Sequence, residues 1–224
     1  MTPAEPMTRT YRTAMALASP VIEGWGRLDV VGLEHLPTEG PTLLIANHDS
    51  YWDPVAIGVA GLPRRQIRAL AKSSLWKYAP VGWILDGMGQ IPIIRGGRDT
   101  QALDVAIREL AAGACVGVFP EGTISRGTLL RARSGAGRLA LAVPEARVVS
   151  ATVTGTVDIV RVPKRPRIRI EFFLPTGGQP QPGESPAELI GRLMAEIRAR
   201  APIAIPGRRR TAAKYRARAQ AQRA

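Results

Sequence analysis

Short apolar runs alternate with helical segments from residue 29 onward, and this alternation most strongly restricts how the chain can fold. Apolar runs of four to eight residues bounded by turn residues are typical of buried strands. Strands are predicted at Asp29–Leu33, Thr42–Asn47, Ile67–Lys72, Gln90–Arg95, Ala114–Phe119, Ala146–Gly155 and Arg167–Phe173. The last one alternates with period two, which predicts a half-exposed strand toward a sheet edge. Strands separated by helices predict a single α/β domain.

Helices are predicted in most of the intervals between these strands. Residues 99–112 carry an apolar stripe at i, i+3, i+4, i+7 and i+8, and Gly113 closes the helix. Ser185, Pro186 and Glu188 have the spacing of a capping box with proline at the first helical position. Further helices are predicted at 10–25, broken near Pro20, at 54–61 and at 134–143.

The length of 224 residues suits one domain with appendages. We predict a domain over 28–205, after an N-terminal segment, 1–27, that is disordered to residue 9 and then forms a helix able to rest on a membrane. A basic tail follows at 206–224. From Gly207 it holds seven basic and no acidic residues and little apolar bulk, which predicts disorder or a loosely held surface helix.

The formal charge of +13 favours anionic partners, namely phosphates, a phospholipid surface, coenzyme A or nucleic acid. A GC-rich coding sequence would produce the same excess of arginine over lysine. Cys115 is the only cysteine, so the chain cannot form an intramolecular disulfide, and no metal site is predicted. No apolar run approaches 18 residues and no clear signal peptide is present. These features predict a cytoplasmic chain that rests on a membrane.

The stretch NHDSYWD places His48 and Asp53 five residues apart, where the predicted strand 42–47 ends. Histidine can take a proton near neutral pH, and a carboxylate on its other ring nitrogen fixes the tautomer. The sequence has no G-x-S-x-G, so the pair suggests a general base acting on a substrate hydroxyl. Other interpretations remain open: Asp53 as an N-cap before Pro54, a Ser50–Asp53 capping pair, or a core histidine.

Three polar stretches follow predicted strands: NHDSYWD, Arg95, and Pro120–Thr123. If these strands are mutually parallel, their carboxyl ends meet in one cleft. There Arg95 could bind a phosphate or be a solvated strand end. Glu121 could accept hydrogen bonds from a polyol or lie in an ordinary turn. Arg133, just before the helix at 134–143, marks a candidate anion site.

An aromatic and aliphatic cluster lies between Ser74 and Gly89, next to Lys77. Such a cluster suits a membrane interface or an acyl-chain groove, and it equally suits an ordinary core. Its large members are Trp76, Tyr78, Trp83, Ile84 and Leu85.

Together, in this order and spacing, NHDSYWD, GQIPIIR, FPEGT, a basic-x-Gly step and a VV-x-x-x-x-x-G strand resemble the glycerolipid acyltransferase family. The match is best to its bacterial 1-acyl-sn-glycerol-3-phosphate (lysophosphatidate) acyltransferases and covers roughly residues 28–175. The resemblance implies a mixed αβ sheet of about six to seven strands flanked by helices, with an N-terminal helical element on the membrane.

The resemblance also implies roles for the candidate residues. His48 would take the proton of the acceptor hydroxyl, and Asp53 would orient His48. The hydroxyl would attack the thioester of acyl-CoA or acyl-carrier protein, with no bound cofactor. Arg95 would hold the acceptor phosphate, while the acceptor site would be shaped by Glu121, Gly122 and Thr123, with Arg133 at a position usually occupied by lysine.

The partners that the resemblance implies are a lysophospholipid acceptor, the acyl donor and an anionic membrane surface. The expected location is peripheral, on the cytoplasmic face of the cell membrane, with no nucleic acid bound. Ile124 replaces the arginine that commonly follows FPEGT, Arg126 could compensate, and Ser150 replaces a proline. These departures leave another lysolipid or alcohol open as the acceptor. A basic protein that binds nucleic acid or an anionic membrane is the alternative from another class.

Overall fold

The computed structural model describes residues 6–94 and 100–222, and within them seven strands form one sheet in the order β1-β7-β6-β2-β5-β3-β4. The prediction for Arg95 falls outside the described residues. The strands are β1 Asp29–Val31, β2 Thr42–Ala46, β3 Ile67–Lys72, β4 Ile91–Ile93, β5 Cys115–Val118, β6 Arg147–Thr154 and β7 Arg169–Phe173.

The sheet is mixed, as predicted. β6, β2, β5, β3 and β4 run parallel to one another, whereas β7 is antiparallel to β6 and parallel to β1. Thr42 of β2 is in register with both Cys115 of β5 and Arg147 of β6. The carboxyl ends of the five parallel strands therefore lie at the same edge of the sheet, where ligands gather in α/β proteins.

β7 lies toward one edge of the sheet, as predicted, but it is not the edge strand itself, because β1 pairs with it on its outer side. The period-two pattern arises from charged residues on one face of an inner strand. Arg169 forms an ion pair with Asp29 of β1, and Glu171 pairs with Arg200 at 2.7 Å. These charges are paired by neighbouring elements, and the pattern alone could not distinguish this arrangement from exposure at an edge.

The helices are α1 Arg9–Ser19, α2 Asp53–Gly61, α3 Ala79–Gly87, α4 Thr100–Ala111, α5 Gly135–Ala142, α6 Pro186–Arg200 and α7 Arg209–Ala221. The predicted capping box is present at the start of α6, with Ser185 and Glu188 each accepting the other's backbone N–H. Near Pro20 the chain does not leave the helical path. It continues as a π-helical turn, Pro20–Trp25.

The core has one hydrophobic layer on each face of the sheet, and β2 contributes to both. Leu44 and Ala46 pack with α1 and α2, while Leu43 and Ile45 pack with α4, α5 and α6. All five residues of β2 are buried. A central parallel strand covered on both faces is expected to be a continuous apolar run, as Thr42–Ala46 nearly is.

The basic tail, predicted to be disordered or a surface helix, contains α7 in this structure. Ala212 is buried, and Tyr215 packs against Gly127, where an added Cβ atom would lie 3.0 Å from the Tyr215 Cβ. The tail thus contacts the loop that follows FPEGT. Across residues 6–94 and 100–222, no helix has the length and apolar character needed to cross a bilayer.

Candidate active site

The turn between β2 and α2 carries the NHDSYWD stretch. The Asn47 side chain donates to the Val153 carbonyl and accepts from the Val153 N–H, each at 2.8 Å. These bonds join the end of β2 to β6 beyond the last paired residue. The chain that leads into His48 is therefore fixed by two strands, not by the turn alone.

His48 and Asp53 form the predicted pair, with 3.1 Å between Nδ1 and Oδ2. Asp53 Oδ2 also accepts the backbone N–H groups of Asp49 and Ser50, each at 2.7 Å, and Thr156 Oγ1 donates to Oδ1 at 2.5 Å. A carboxylate in this position accepts Nδ1–H from the imidazole and so fixes its tautomer. That tautomer leaves the Nε2 lone pair available as a base.

Of the capping alternatives for Asp53, the structure shows one half of the Ser50–Asp53 pair, in which the Ser50 N–H bonds to the Asp53 carboxylate. Asp53 is the first residue of α2, and its carboxylate binds N–H groups that precede the helix. Ser50 Oγ instead accepts from Trp52 N at 3.2 Å. His48 is buried but lines a cavity, and the hydrogen bond that its ring makes within the described part of the chain is the one from Nδ1 to Asp53.

Phe119 packs against the imidazole. The rings of Phe119 and His48 are stacked, with centroids 4.4 Å apart and planes inclined by 25°. Phe119 directly follows β5, which is parallel to β2 and adjacent to it. Pairing of β2 with β5 therefore places the FPEGT stretch beside His48, as the expected convergence of carboxyl ends requires.

Glu121, within FPEGT, has a buried side chain. Its Oε2 accepts the His48 backbone N–H at 2.6 Å, and its Oε1 accepts from Arg198 Nε at 2.9 Å. Burial raises the pKa of the Glu121 carboxyl, and the charge of Arg198 opposes that rise. Both oxygens are bonded to the protein, and one of them holds the His48 backbone. Direct contact of Glu121 with an acceptor stays a prediction.

Gly122, Thr123 and Arg133 lie together on the outer side of Glu121. Gly122 has φ +69°, and a Cβ atom there would lie 2.9 Å from Arg133 Nε. The Arg133 N–H donates to the Pro120 carbonyl at 2.8 Å. Both Thr123 and Arg133 have exposed side chains. The structure brings these predicted residues to one rim, and their contact with an acceptor stays a prediction.

Sequence reasoning missed Arg198 and Asp49. Arg198 Nη1 donates to Asp49 Oδ2 at 2.8 Å and Nη2 to Asp49 Oδ1 at 3.0 Å, although the two residues are 149 positions apart. Asp49 also accepts the Ser125 hydroxyl. The signal available in the sequence was weak: Asp49 is a second acid inside NHDSYWD, and Arg198 directly follows the apolar stripe of α6.

A cavity of about 320 Å³ opens beside His48, between the sheet and helices α1, α2 and α3. Its walls are mostly apolar, and Tyr51 and Lys72 add polar groups. Apolar side chains that line it include Tyr11, Met15, Val55, Ile57, Leu75 and Leu85. Across residues 6–94 and 100–222, no three His, Cys, Asp or Glu side chains converge as a metal site requires.

The aromatic cluster predicted between Ser74 and Gly89 divides between this cavity and the surface. Leu75 and Leu85 line the cavity, whereas Tyr78, Trp83 and Ile84 are exposed, Trp83 by 75%. α1 packs beside α3 and exposes Leu17 by 76%. Exposed large apolar side chains on two adjacent helices distinguish this region from an ordinary core.

Comparison with known proteins identifies the family of this chain. The Acyltransferase family model matches residues 27–160. The chain is 31% identical over 147 residues to a chloroplastic 1-acyl-sn-glycerol-3-phosphate acyltransferase of Arabidopsis thaliana, which covers 64% of this chain and 40% of that protein. It is 30% identical over 98 residues to the 1-acyl-sn-glycerol-3-phosphate acyltransferase of Bacillus subtilis, which covers 44% of this chain and 49% of that protein.

Two further similarities concern the acceptor class and the fold. A lyso-ornithine lipid O-acyltransferase of Pseudomonas aeruginosa is 31% identical over 92 residues, covering 41% of this chain and 34% of that protein. The crystal structure of the 1-acyl-sn-glycerophosphate acyltransferase PlsC from Thermotoga maritima shares the fold, with a TM-score of 0.61 and 23% identity. That similarity covers 85% of this chain and 81% of that one.

The chain spans between 34% and 49% of the length of these three curated relatives. The family model matches residues 27–160, which are more than half of this chain. That range includes the His48–Asp53 pair and FPEGT. The resemblance inferred from the motifs is thus confirmed, and the chain belongs to the acyltransferase family.

Proposed function

We propose that this protein transfers an acyl group from acyl-CoA or acyl-carrier protein to the free hydroxyl of a lysophospholipid. The first candidate acceptor is 1-acylglycerol-3-phosphate, which would give phosphatidate. The observation that carries the proposal is the buried His48–Asp53 pair, which is bonded through Nδ1 and whose histidine lines an apolar cavity.

The chemistry needs a base and no enzyme nucleophile, because a thioester is already activated. His48 Nε2 takes the proton of the acceptor hydroxyl, and the oxygen attacks the thioester carbonyl. The tetrahedral intermediate collapses, the thiolate leaves, and His48 returns the proton to the sulfur. Asp53 stabilises the imidazolium that forms between these steps. General-base help of this kind contributes roughly 10²–10⁴ in rate, and holding both substrates in place contributes more.

The cavity beside His48 supports a fatty-acyl substrate. Its lining is dominated by aliphatic and aromatic side chains from α1, α2, β3 and α3. Each methylene that moves from water into such a site contributes about 0.8 kcal/mol. An acyl chain held there would have its reactive carbonyl end beside His48.

The acceptor headgroup would lie near exposed cations. Lys72 borders the same cavity as His48, and Arg126 and Arg133 are exposed on the loop after FPEGT. Arg126 Nη2 lies 3.4 Å from the Tyr51 hydroxyl, which also borders the cavity. Cations around a catalytic base suit an acceptor that carries phosphate. Arg95 retains its sequence-based assignment to that phosphate.

A second candidate is acyl transfer to a lysolipid without a terminal phosphate. The observation that favours it is Ile124, a buried apolar residue at the position where the resemblance implies arginine. One relative, moreover, is named for a lyso-ornithine lipid acceptor. A panel of lysolipids distinguishes these acceptors by the ratio of their kcat/KM values.

Peripheral docking on an anionic membrane would bring the lipid acceptor to the site. Supporting features are the exposed Trp83 and Leu17 on α3 and α1, and the basic face of α7. Tryptophan suits the interfacial region of a bilayer. Basic residues bind the anionic leaflet, so we propose the cytoplasmic face of the cell membrane as the location.

The test is thiol release from long-chain acyl-CoA, with and without 1-acylglycerol-3-phosphate, for the wild type and His48→Ala. Burial raises the pKa of the protein's own Cys115 thiol to about 12, so a thiol reagent reports mainly on released coenzyme A. Acceptor-dependent release that is lost in the variant supports the proposal. Thiol release without acceptor indicates a thioesterase. If neither acyl-CoA nor acyl-carrier protein gives turnover with any lysolipid, the proposal of acyl transfer is contradicted.

A further inference from the structure

Arg198 lies in the last turn of α6, at the centre of a buried charge cluster. Its side chain is 9% exposed, and its partners Asp49 and Glu121 are 3% and 1% exposed. α6 begins at Pro186, far along the chain from NHDSYWD. α6 packs on one face of the sheet, and its Arg198 side chain thus reaches the loop that carries His48.

The guanidinium donates to two carboxylates at once. Nη1 and Nη2 form a fork on Asp49, while Nε donates to Glu121 Oε1 at 2.9 Å and Nη2 also bonds to that oxygen. Arginine presents its donors in a rigid plane, so this arrangement sets the relative position of the two acids. A lysine would retain the charge and lose the fork.

Those two carboxylates hold the chain on both sides of the imidazole. Glu121 accepts the His48 N–H, while Asp49, the next residue, sends its own N–H to Asp53 Oδ2. Ser125, bonded to Asp49 through its hydroxyl, donates its N–H to the His48 carbonyl at 2.8 Å. Arg198 is therefore bonded to the residues that fix the His48 backbone. One of them, Asp49, also bonds through its N–H to Asp53 Oδ2, the oxygen that accepts from His48 Nδ1.

Charge balance also depends on this residue. Asp49, Asp53 and Glu121 are three buried acids around His48, and Arg198 is the cation bonded to two of them. Burial lowers the pKa of Arg198, but its bonds to both carboxylates outweigh that effect and raise it. Removing the guanidinium would leave two adjacent buried carboxylates without a counter-charge, and the loop would have to rearrange or take up a proton.

We propose that Arg198 is a positioning residue for His48: through Asp49 and Glu121 it holds the imidazole in the geometry and tautomer that acyl transfer needs. The rate effect rests on the function proposed above, whereas the effect on the tautomer does not. The competing explanation is purely structural, in which Arg198 only fastens α6 to the domain.

The chain offers a matched control two residues away on the same helix. Arg200 pairs with Glu171 at 2.7 Å and with Glu196 at 3.0 Å, and its guanidinium lies over Phe173. It has as many partners as Arg198, and none of them bonds to His48 or Asp53. Arg200→Met therefore reports the cost of losing an arginine from this end of α6 without disturbing the proposed support of His48.

The experiment compares the 224-residue wild type, Arg198→Met and Arg200→Met by steady-state kinetics and by nitrogen-15 NMR of the imidazoles. His35 and His48 are the only histidines, so His35 provides an internal reference. We expect Arg198→Met to lower kcat by about 10²-fold with KM nearly unchanged, and to reduce the Nδ1–H tautomer signal of His48. Arg200→Met should resemble the wild type in both.

A folded Arg198→Met protein with wild-type kcat and a wild-type His48 signal overturns the proposal, even where its stability has fallen. If this variant does not fold, Arg198→Lys decides, since it retains the charge without the fork. A lowered kcat with an altered His48 signal supports the proposal, and wild-type values of both overturn it. If the wild type shows no acyl transfer, the NMR comparison of the Arg198 and Arg200 variants still decides.

Discussion

The backbone N–H of His48 donates to the buried carboxylate of Glu121 at 2.6 Å, across 73 residues of sequence. This bond ties the loop after β2 to the loop after β5, two strands that pair in parallel. FPEGT thereby contributes a carboxylate that holds the His48 backbone by a hydrogen bond. It also contributes residues that are candidates for binding the lysolipid substrate. A hydrogen bond to a carboxylate is worth about 1.5–3 kcal/mol, so it helps to fix the loop that carries His48.

Asp53→Asn should lower kcat by about 10²–10⁴-fold with little change in fold. An amide at this position can donate to Nδ1 and would stabilise the wrong imidazole tautomer. Asp29→Asn, on the half-exposed edge strand β1, is the matched control, and we expect it to retain wild-type kcat. Equal kcat values for Asp53→Asn and the wild type in the thiol-release assay would exclude the orienting role of Asp53.

Ser150→Ala should raise the free energy of unfolding by about 1 kcal/mol. The Ser150 hydroxyl is buried in β6 and has no hydrogen-bond partner within residues 6–94 and 100–222. Its removal therefore costs no bond and relieves a desolvated polar group. Ser125→Ala should have the opposite sign, with a loss of about 1–3 kcal/mol, since that hydroxyl bonds to Asp49. Urea denaturation of both variants measures the difference, and a destabilised Ser150→Ala would contradict the prediction.

Glu184→Gln should make the protein's stability less sensitive to acid. The bond from Arg192, with 2.6 Å between Nε and Oε1, holds the pKa of the Glu184 carboxyl below its ordinary value. A lowered pKa means that the pair stabilises the fold above the unfolded-state pKa, and that this contribution is lost as the pH falls through the folded-state pKa.

The variant should therefore be less stable than the wild type at neutral pH, by about 0.5 kcal/mol, and equal to it near pH 3. Urea denaturation at both pH values measures this difference. Arg192→Gln removes the other half of the pair and should show the same pH window. A gap between Glu184→Gln and the wild type that persists undiminished in acid would rule out this pair as its source.

Trp83→Ala should weaken binding to phospholipid vesicles about tenfold, whatever their charge. Trp83 is exposed on α3, so its loss removes apolar area that can enter the interface without opening the core. The free energy of unfolding should be unchanged. Vesicle sedimentation with neutral and anionic lipids provides the measurement, and unchanged partition in both would exclude α3 as a docking element.

One face of α7 carries Arg210, Lys214 and Arg218. We expect this face to strengthen binding to anionic vesicles and to have no effect on binding to neutral ones. These exposed cations lie at i, i+4 and i+8 on the helix. Replacing all three by glutamine should cost about 1 kcal/mol per charge at low salt, with no effect on neutral vesicles. Because Tyr215 packs on Gly127, substitution is a cleaner change than deletion of the tail. Equal losses on both lipid types would contradict an electrostatic role.

The parts of the fold that the sequence predicted well are those set by local patterns. The continuous apolar run of β2, the stripe of α4 and the capping box of α6 each depend on neighbours within a few residues. The His48–Asp53 pair belongs to the same class, since its members are five residues apart. Parallel pairing of β2 with β5 then explains why NHDSYWD and FPEGT meet.

Contacts set by the tertiary fold could not be predicted in this way. Arg198 reaches Asp49 across 149 residues, and Thr156 reaches Asp53 across 103. Neither Arg198 nor Thr156 belongs to a motif. Their contacts form only when α6 and the segment after β6 pack against the rest of the domain, so the sequence alone does not indicate them. The pairing of β1 on the outer side of β7 was not predicted for the same reason, because the charged face of β7 is paired by elements that are distant in sequence.

Mass spectrometry of the product tests the proposed acyl transfer through His48. Wild-type protein, isotope-labelled acyl-CoA and 1-acylglycerol-3-phosphate are incubated in parallel with His48→Ala. We expect the wild type to form labelled phosphatidate in equal amount to the released coenzyme A, and the variant to form at least about 10²-fold less. Equal formation of labelled phosphatidate by His48→Ala and the wild type would contradict the assignment of His48 as the base.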